Sequence, residues 1–387
     1  MKRLTLWLLA AAVGLPSAMQ AQGLTMQMSN GWKFTFSGNI NAFAVYTVDA
    51  NGGQKNFNIR TGLLPGFAVF DAKGREGNYD LGVHVGFAPQ INNAGQVHTG
   101  LAQIDMRQLY LTVGMRNGSQ LLAGRELGVF GRQNILNDMT LYGTGAQGGV
   151  QAGGTTLGRI GYGYLYPDFE AQITYSSAGG KPTQFTVGLF EPSTFNPPGA
   201  LNFPETELPR VEAEVTHAIR RSRGRTANVW VGGEWQSTKT GFGAGSQSLS
   251  SIGLAGGVRA DVTAEINVTV AGYYTKGVGT LFQFDGLAVA DATHGRPDQG
   301  GYVQVMYKMN ANSQLGASWG ISELKGGGTA SADGNSNSRA HLASYTVGWY
   351  HNMTRSLHLN VEATKEINRY AGGANRTDVS AGLMLFF

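Results

Sequence analysis

The side chains that most often do chemistry are present in this 387-residue chain, but not at the spacings that chemistry needs. There are no cysteines, which removes thiolate nucleophiles, thiolate metal sites and disulfides together. The histidines are His84, His98, His217, His294, His341, His351 and His358. None forms an H-x-x-x-H or H-E-x-x-H pair, so no metal site is expected. No serine or aspartate–histidine constellation stands out, so no catalytic residue and no cofactor is expected. Gly143–Gly148 spells G-x-G-x-x-G. A dinucleotide fingerprint needs a strand before it and an amphipathic helix after it, and neither is there. The run reads instead as a flexible part of a loop, where Gly lets the backbone turn. What remains is charge. Lys33, Arg60, Asp80, His84, Arg210, Glu212, Glu214, Glu234, Arg259, Glu362 and Asp378 fall on the polar faces of alternating segments. Such charges either tune the ion preference of a wet passage or simply solvate it.

Strands must position those charges. Trp32, Phe34, Phe36, Gly38, Ile40, Ala42, Ala44 and Tyr46 alternate with Lys33, Thr35, Ser37, Asn39 and Asn41. That is period two over a length typical of a tilted membrane strand, longer than the five or six residues usual in soluble sheets. The pattern predicts strands at 32–47, 57–72, 79–91, 104–114, 119–126, 169–176, 184–190, 208–219, 226–237, 250–261, 264–275, 301–309, 313–323, 341–352, 355–366 and 376–387. Short and long gaps alternate between them, as in outer-membrane barrels with short periplasmic turns and longer external loops. Residues 159–166 also alternate, but a strand there would break that order, so they are assigned to the third long loop. The fold class expected is all-β: a transmembrane antiparallel β-barrel of about sixteen strands, with an aqueous lumen.

Composition and both ends agree. Gly makes up 58 residues, about twice its usual share, while charged residues are 14 % and aromatics 10 %. Beyond the leader no apolar run is long enough for a transmembrane helix. Lys2 and Arg3, the apolar Leu4–Leu15 and the small residues to Ala21 read as a signal peptide over 1–21. The rest, 22–387, reads as one barrel domain. Val379, Ala381, Leu383, Leu385 and Phe387 share the apolar face of the last strand, as needed where it must close on the first. The excess of basic residues, 29 against 25 acidic, is too small and too scattered for a nucleic-acid partner. Trp32, Trp235, Trp319, Trp349, Tyr46, Tyr79 and Phe387 are candidates for aromatic girdles.

Met106–Gly114, a turn, and then Gln120–Gln133 resemble the Gram-negative general porins: an Arg-led strand, a strand ending in Gly-Arg, then entry into a long third loop. Phe169–Ser177 resembles the strand that follows that loop, and Phe387 matches the family's assembly signal. The resemblance implies a homotrimer of passive channels in the outer membrane of a Gram-negative bacterium. It implies as partners the outer-membrane lipid and lipopolysaccharide, the barrel assembly machinery, and small hydrophilic solutes and ions. It implies a constriction loop, 127–168, facing wall arginines. Arg107 and Arg125 match the motif positions and Arg60 matches less closely; Glu126, Asp138, Asp168 and Arg132 are the loop's charged candidates. The loop has no acidic Pro-Glu-Phe-Gly-Gly-Asp type of segment. Alternation puts Arg107 outward with Leu109, Leu111 and Val113, so a β-bulge or a position near the rim is expected there. The alternatives are a solute-selective channel with a lumenal binding site and, further off, a barrel enzyme. The trimer contact is expected near the first and last strands, at Gly38, Ala42 and Ala44.

Overall fold

The computed structural model describes residues 23–49, 53–91, 104–148, 154–194, 205–239, 246–285, 288–289, 294–325, 340–370 and 373–387. The expected signal peptide lies outside them. Eighteen strands occur among the described residues, all in one sheet. The first nine are β1 (Leu24–Gln27), β2 (Lys33–Asp49), β3 (Lys55–Arg60), β4 (Phe67–Glu76), β5 (Tyr79–Pro89), β6 (Ile104–Gly114), β7 (Gln120–Leu127), β8 (Phe169–Ser176) and β9 (Thr183–Phe190). The rest are β10 (Arg210–Arg220), β11 (Thr226–Lys239), β12 (Ser248–Asp261), β13 (Ile266–Lys276), β14 (Pro297–Lys308), β15 (Ser313–Leu324), β16 (Ala340–Asn352), β17 (Leu357–Asn368) and β18 (Arg376–Phe386).

Apart from β3 and β4, consecutive strands pair antiparallel, and β18 pairs with β2, so the sheet closes. Closure satisfies the backbone groups of both end strands, which an open edge in lipid could not. β3 and β4 are two halves of one stave, because both pair with β2. β1 lies beside β2 past the end of β18, so it adds no stave. The barrel therefore has sixteen staves, as the alternation predicts.

Its two faces follow from period two. On β18, Val379, Leu383 and Leu385 are exposed while Asp378, Ser380, Met384 and Phe386 are buried. Leu109, Leu111, Val229, Val231, Leu254, Val270, Tyr345 and Val347 are likewise exposed on the outer wall. The seam is finished by Phe387, whose N–H donates to the Gly38 carbonyl at 3.0 Å and whose carbonyl accepts from the Gly38 N–H at 2.9 Å. Its ring lies 5.4 Å from that of Phe36, which in turn lies 4.9 Å from Phe70. A Cβ on Gly38 would strike the Phe67 carbonyl and press on the Phe387 ring. Gly38 is thus already used within the barrel, whatever it contributes between barrels.

The second stave differs from the continuous strand expected over 57–72. It breaks at Thr61–Gly66 and folds into the lumen, where Leu63 and Leu64 are buried. Pro65 has no N–H for a ladder, which favours such a break. The freed backbone finds new partners. The amide nitrogen of Asn41 donates to the Leu64 carbonyl at 2.9 Å, and the Asn41 Oδ1 accepts the Gly62 N–H at 2.9 Å.

Candidate pore constriction

The third long connection leaves β7 at Leu127 and returns at β8. Near its start it makes helix α1 (Arg132–Leu136) and a 3-10 turn at Met139–Tyr142. Asp138 caps that turn by accepting the Thr140 N–H at 3.0 Å. Its described residues 143–148 and 154–168 then run inside the lumen as irregular backbone. Its residues 159–166 make isolated bridges rather than a stave, in line with their assignment to the loop. Gly158 and Gly161 have φ of 59° and 75°, a conformation open to glycine and costly for other residues.

Carboxylates on the wall hold the loop. Both Val129 and Phe130 donate their N–H groups to Glu212 Oε2 at 2.7 Å. Thr144 and Gly145 donate theirs to Glu362 Oε2 at 2.7 and 2.8 Å, while Tyr350 donates its hydroxyl to Glu362 Oε1 at 2.6 Å. Gln147 N–H and the Tyr162 hydroxyl reach Glu366, each at 2.7 Å. Successive N–H groups aimed at one anion make a nest, and charge-assisted bonds of this kind are the stronger class. The G-x-G-x-x-G run is therefore a docking element and not the free-turning segment expected. A Cβ on Gly143 would collide with the Glu362 carboxylate.

The loop's own cations complete the grip. Arg132 donates to Glu214 at 3.0 and 3.1 Å. Arg159 is fully buried, bonded to Ser318 and Ser344 and 3.7 Å from Asp138. Asp138 also accepts the Tyr164 hydroxyl at 2.7 Å. The loop phenols are desolvated: burial pushes Tyr162 and Tyr164 well above their ordinary range and Tyr166 up to about 12. At neutral pH they are un-ionised: Tyr162 and Tyr164 donate to Glu366 and Asp138, and Tyr166 accepts from Arg107.

The expected constriction residues are distributed unlike the resemblance implies. Arg60 is buried on the wall and donates to the loop carbonyls of Gly154 at 3.2 Å and Thr155 at 3.0 Å. Arg107 sits at a β-bulge: Gly86 pairs with Gln108 but Phe87 pairs with Met106. The skipped residue turns inward, donates to the Tyr166 hydroxyl at 3.0 Å and lies 5.6 Å over the Phe169 ring. Arg125 does not join the lumen. It is exposed on the outer wall, opposite the exposed Leu109 and in step with Leu121 and Ala123. Glu126 belongs to the wall instead of the loop; it is buried and accepts from Gln108 at 2.9 and 3.1 Å. Asp168 accepts the N–H of Phe169 within the turn that re-enters β8. Of the expected wall arginines Arg60 and Arg107 meet the loop, and to them are added the wall acids Glu212, Glu214, Glu362 and Glu366, while the loop itself carries Arg132 and Arg159 beside Asp138. Alternation places Glu212, Glu214 and Glu362 inward, but nothing in it says what they hold. Glu366 shares the parity of Glu362 and is not singled out by the sequence; that parity is the signal that could have found it.

Beside the loop lies a cavity of about 390 Å³, lined by Leu63, Phe67, Leu136, Ile160, Phe282 and other largely apolar residues, with Arg107 and Tyr166 among them. Inward side chains of β16 and β17, including Thr346, Thr364 and Glu366, are also buried. The loop therefore fills much of the lumen at mid-height.

The sequence matches no family model and no curated protein. Solved structures do match. The outer membrane channel DcaP of Acinetobacter baumannii aligns over 94 % of this chain and 99 % of its own, at TM-score 0.65 and 18 % identity. The anion-selective porin from Comamonas acidovorans covers 92 % and 100 %, at 0.63 and 11 %. The trimer form of OmpT, an outer membrane protein of Vibrio cholerae, covers 92 % and 99 %, at 0.53 and 14 %. The chain has the fold of Gram-negative outer-membrane porins.

Proposed function

We propose that this protein is an outer-membrane channel that lets ions and small hydrophilic solutes diffuse passively down their gradients. The observation that carries this reading is the closed barrel with an apolar outer wall, a polar inner wall and a long loop fastened inside the lumen. A wall of that kind suits lipid outside and a wet passage within. The chain is read as one barrel domain, with 127–168 as its constriction loop. Glu212, Glu362, Glu366, Arg60, Arg132 and Asp138 hold the loop; Arg107 and the loop backbone face the passing solute. Arg125 has no part in it. The protein acts in the outer membrane without catalysis, assembled by the barrel machinery and bordered by lipid and lipopolysaccharide. A homotrimer is supported by the trimeric OmpT structure.

Swelling of proteoliposomes in a series of neutral sugars tests this. Entry rates should fall smoothly with solute size and show no saturation. Folded, inserted protein that admits neither ions nor the smallest sugar would overturn the reading. The apolar cavity favours the second reading, a channel with a solute-binding site, developed next.

A further inference from the structure

We infer that the cavity beside the third loop binds a small, largely apolar, uncharged ring compound carrying one hydroxyl group. The inference rests on the channel reading for its route but not for its binding. A wet passage for ions and sugars does not need Leu63, Phe67, Leu136, Ile160 and Phe282 around one cavity. At about 390 Å³ it falls near the lower end of the range of small-molecule sites, about 300–1,000 Å³, and like them it is apolar with few polar groups. Arg107 and Tyr166, joined at 3.0 Å, set a hydrogen-bonding pair into its wall. Arg107 is already matched: its Nε donates to Asp105 at 2.9 Å, and its guanidinium lies over Phe169. The pair therefore offers hydrogen bonds without net positive charge. A hydroxyl can use it, whereas a carboxylate would be repelled by Asp105 and would lose its hydration among leucines. A sugar could bond Gln90, Gln147, Thr155 or Thr156 but would leave the hydroxyls that face Leu63, Leu136 and Ile160 unpaired.

Binding of 2-naphthol to the folded protein in detergent, followed by its fluorescence near neutral pH, tests the inference without any need for conduction. We expect 2-naphthol to bind at least about tenfold more tightly than 2-naphthoate or maltose. Leu136→Trp and Leu281→Trp, which fill the cavity from the third loop and from the segment that bridges to it at Tyr166, should each weaken it by about tenfold or more. Asp105→Asn unmatches Arg107 on a half-exposed strand end and should raise 2-naphthoate affinity by about tenfold. Absence of 2-naphthol binding, equal binding of maltose, or tighter binding of 2-naphthoate to the wild type would overturn the inference. Conductance lost with binding intact would overturn the channel reading alone.

Discussion

The carboxylate of Glu362 ties the loop to the wall. It accepts two loop N–H groups and a phenol. Glu362→Ala should cost about 1–3 kcal/mol by leaving buried donors unpaired. It should also loosen the loop, giving larger and noisier single-channel currents. The loop phenols give a pH dependence with a definite sign. Tyr166 ionises in the unfolded chain near 10.0 but only at about 12 when docked. Its contribution is fully present below pH 10 and is lost as pH rises toward 12. Loop docking should therefore weaken over that window, and Tyr166→Phe should reduce the alkaline loss measured by thermal melting from about pH 8 to about pH 12. Arg125 is instructive at this scale. The alternation of Leu121, Ala123 and Arg125 places it outward, against its match to the porin motif, and the parity is what the structure follows. For Arg107 the same parity argument points to a bulge, and the register shift is there.

At the scale of elements, the staves are legible because each is long enough for period two to repeat several times. Their ends differ by a few residues from the expected ones, while their faces do not. The lipid-facing side gives a direct check. Val347 is exposed in the middle of β16, and Val347→Arg should cost about 2–4 kcal/mol in bilayer folding titrations. Thr377→Arg, near a strand end, should cost about 0–1 kcal/mol. The broken second stave does not follow from alternation, although Gly62, Pro65 and Gly66 inside one alternating run are a usable signal. The break matters because Leu63 and Leu64 donate their N–H groups to the loop carbonyls of Gly143 and Leu141, at 3.0 and 3.2 Å. Asn41→Ala would remove the side chain that holds the break in place. It should lower the melting temperature and raise the conductance together.

For the whole molecule, strand alternation fixes a barrel, but the path of a loop through its lumen is set by contacts between residues far apart in sequence. Gln147 and Glu366 are 219 positions apart, and no local pattern links them. The seam is different, because its closing residue is visible at the end of an alternating strand. Deleting Phe387 removes two ladder hydrogen bonds and the ring over Gly38. It should lower the folded fraction after refolding into detergent, read as loss of the heat-modifiable band on a gel. The central claim is a barrel whose passage is narrowed by a loop fastened to acids on its wall. Single-channel recording of the purified wild type beside Glu362→Ala in a planar bilayer tests it most directly. The account predicts small, stable steps for the wild type and larger, noisier ones for the variant. Equal conductance from the two folded proteins, or none from either, would contradict it.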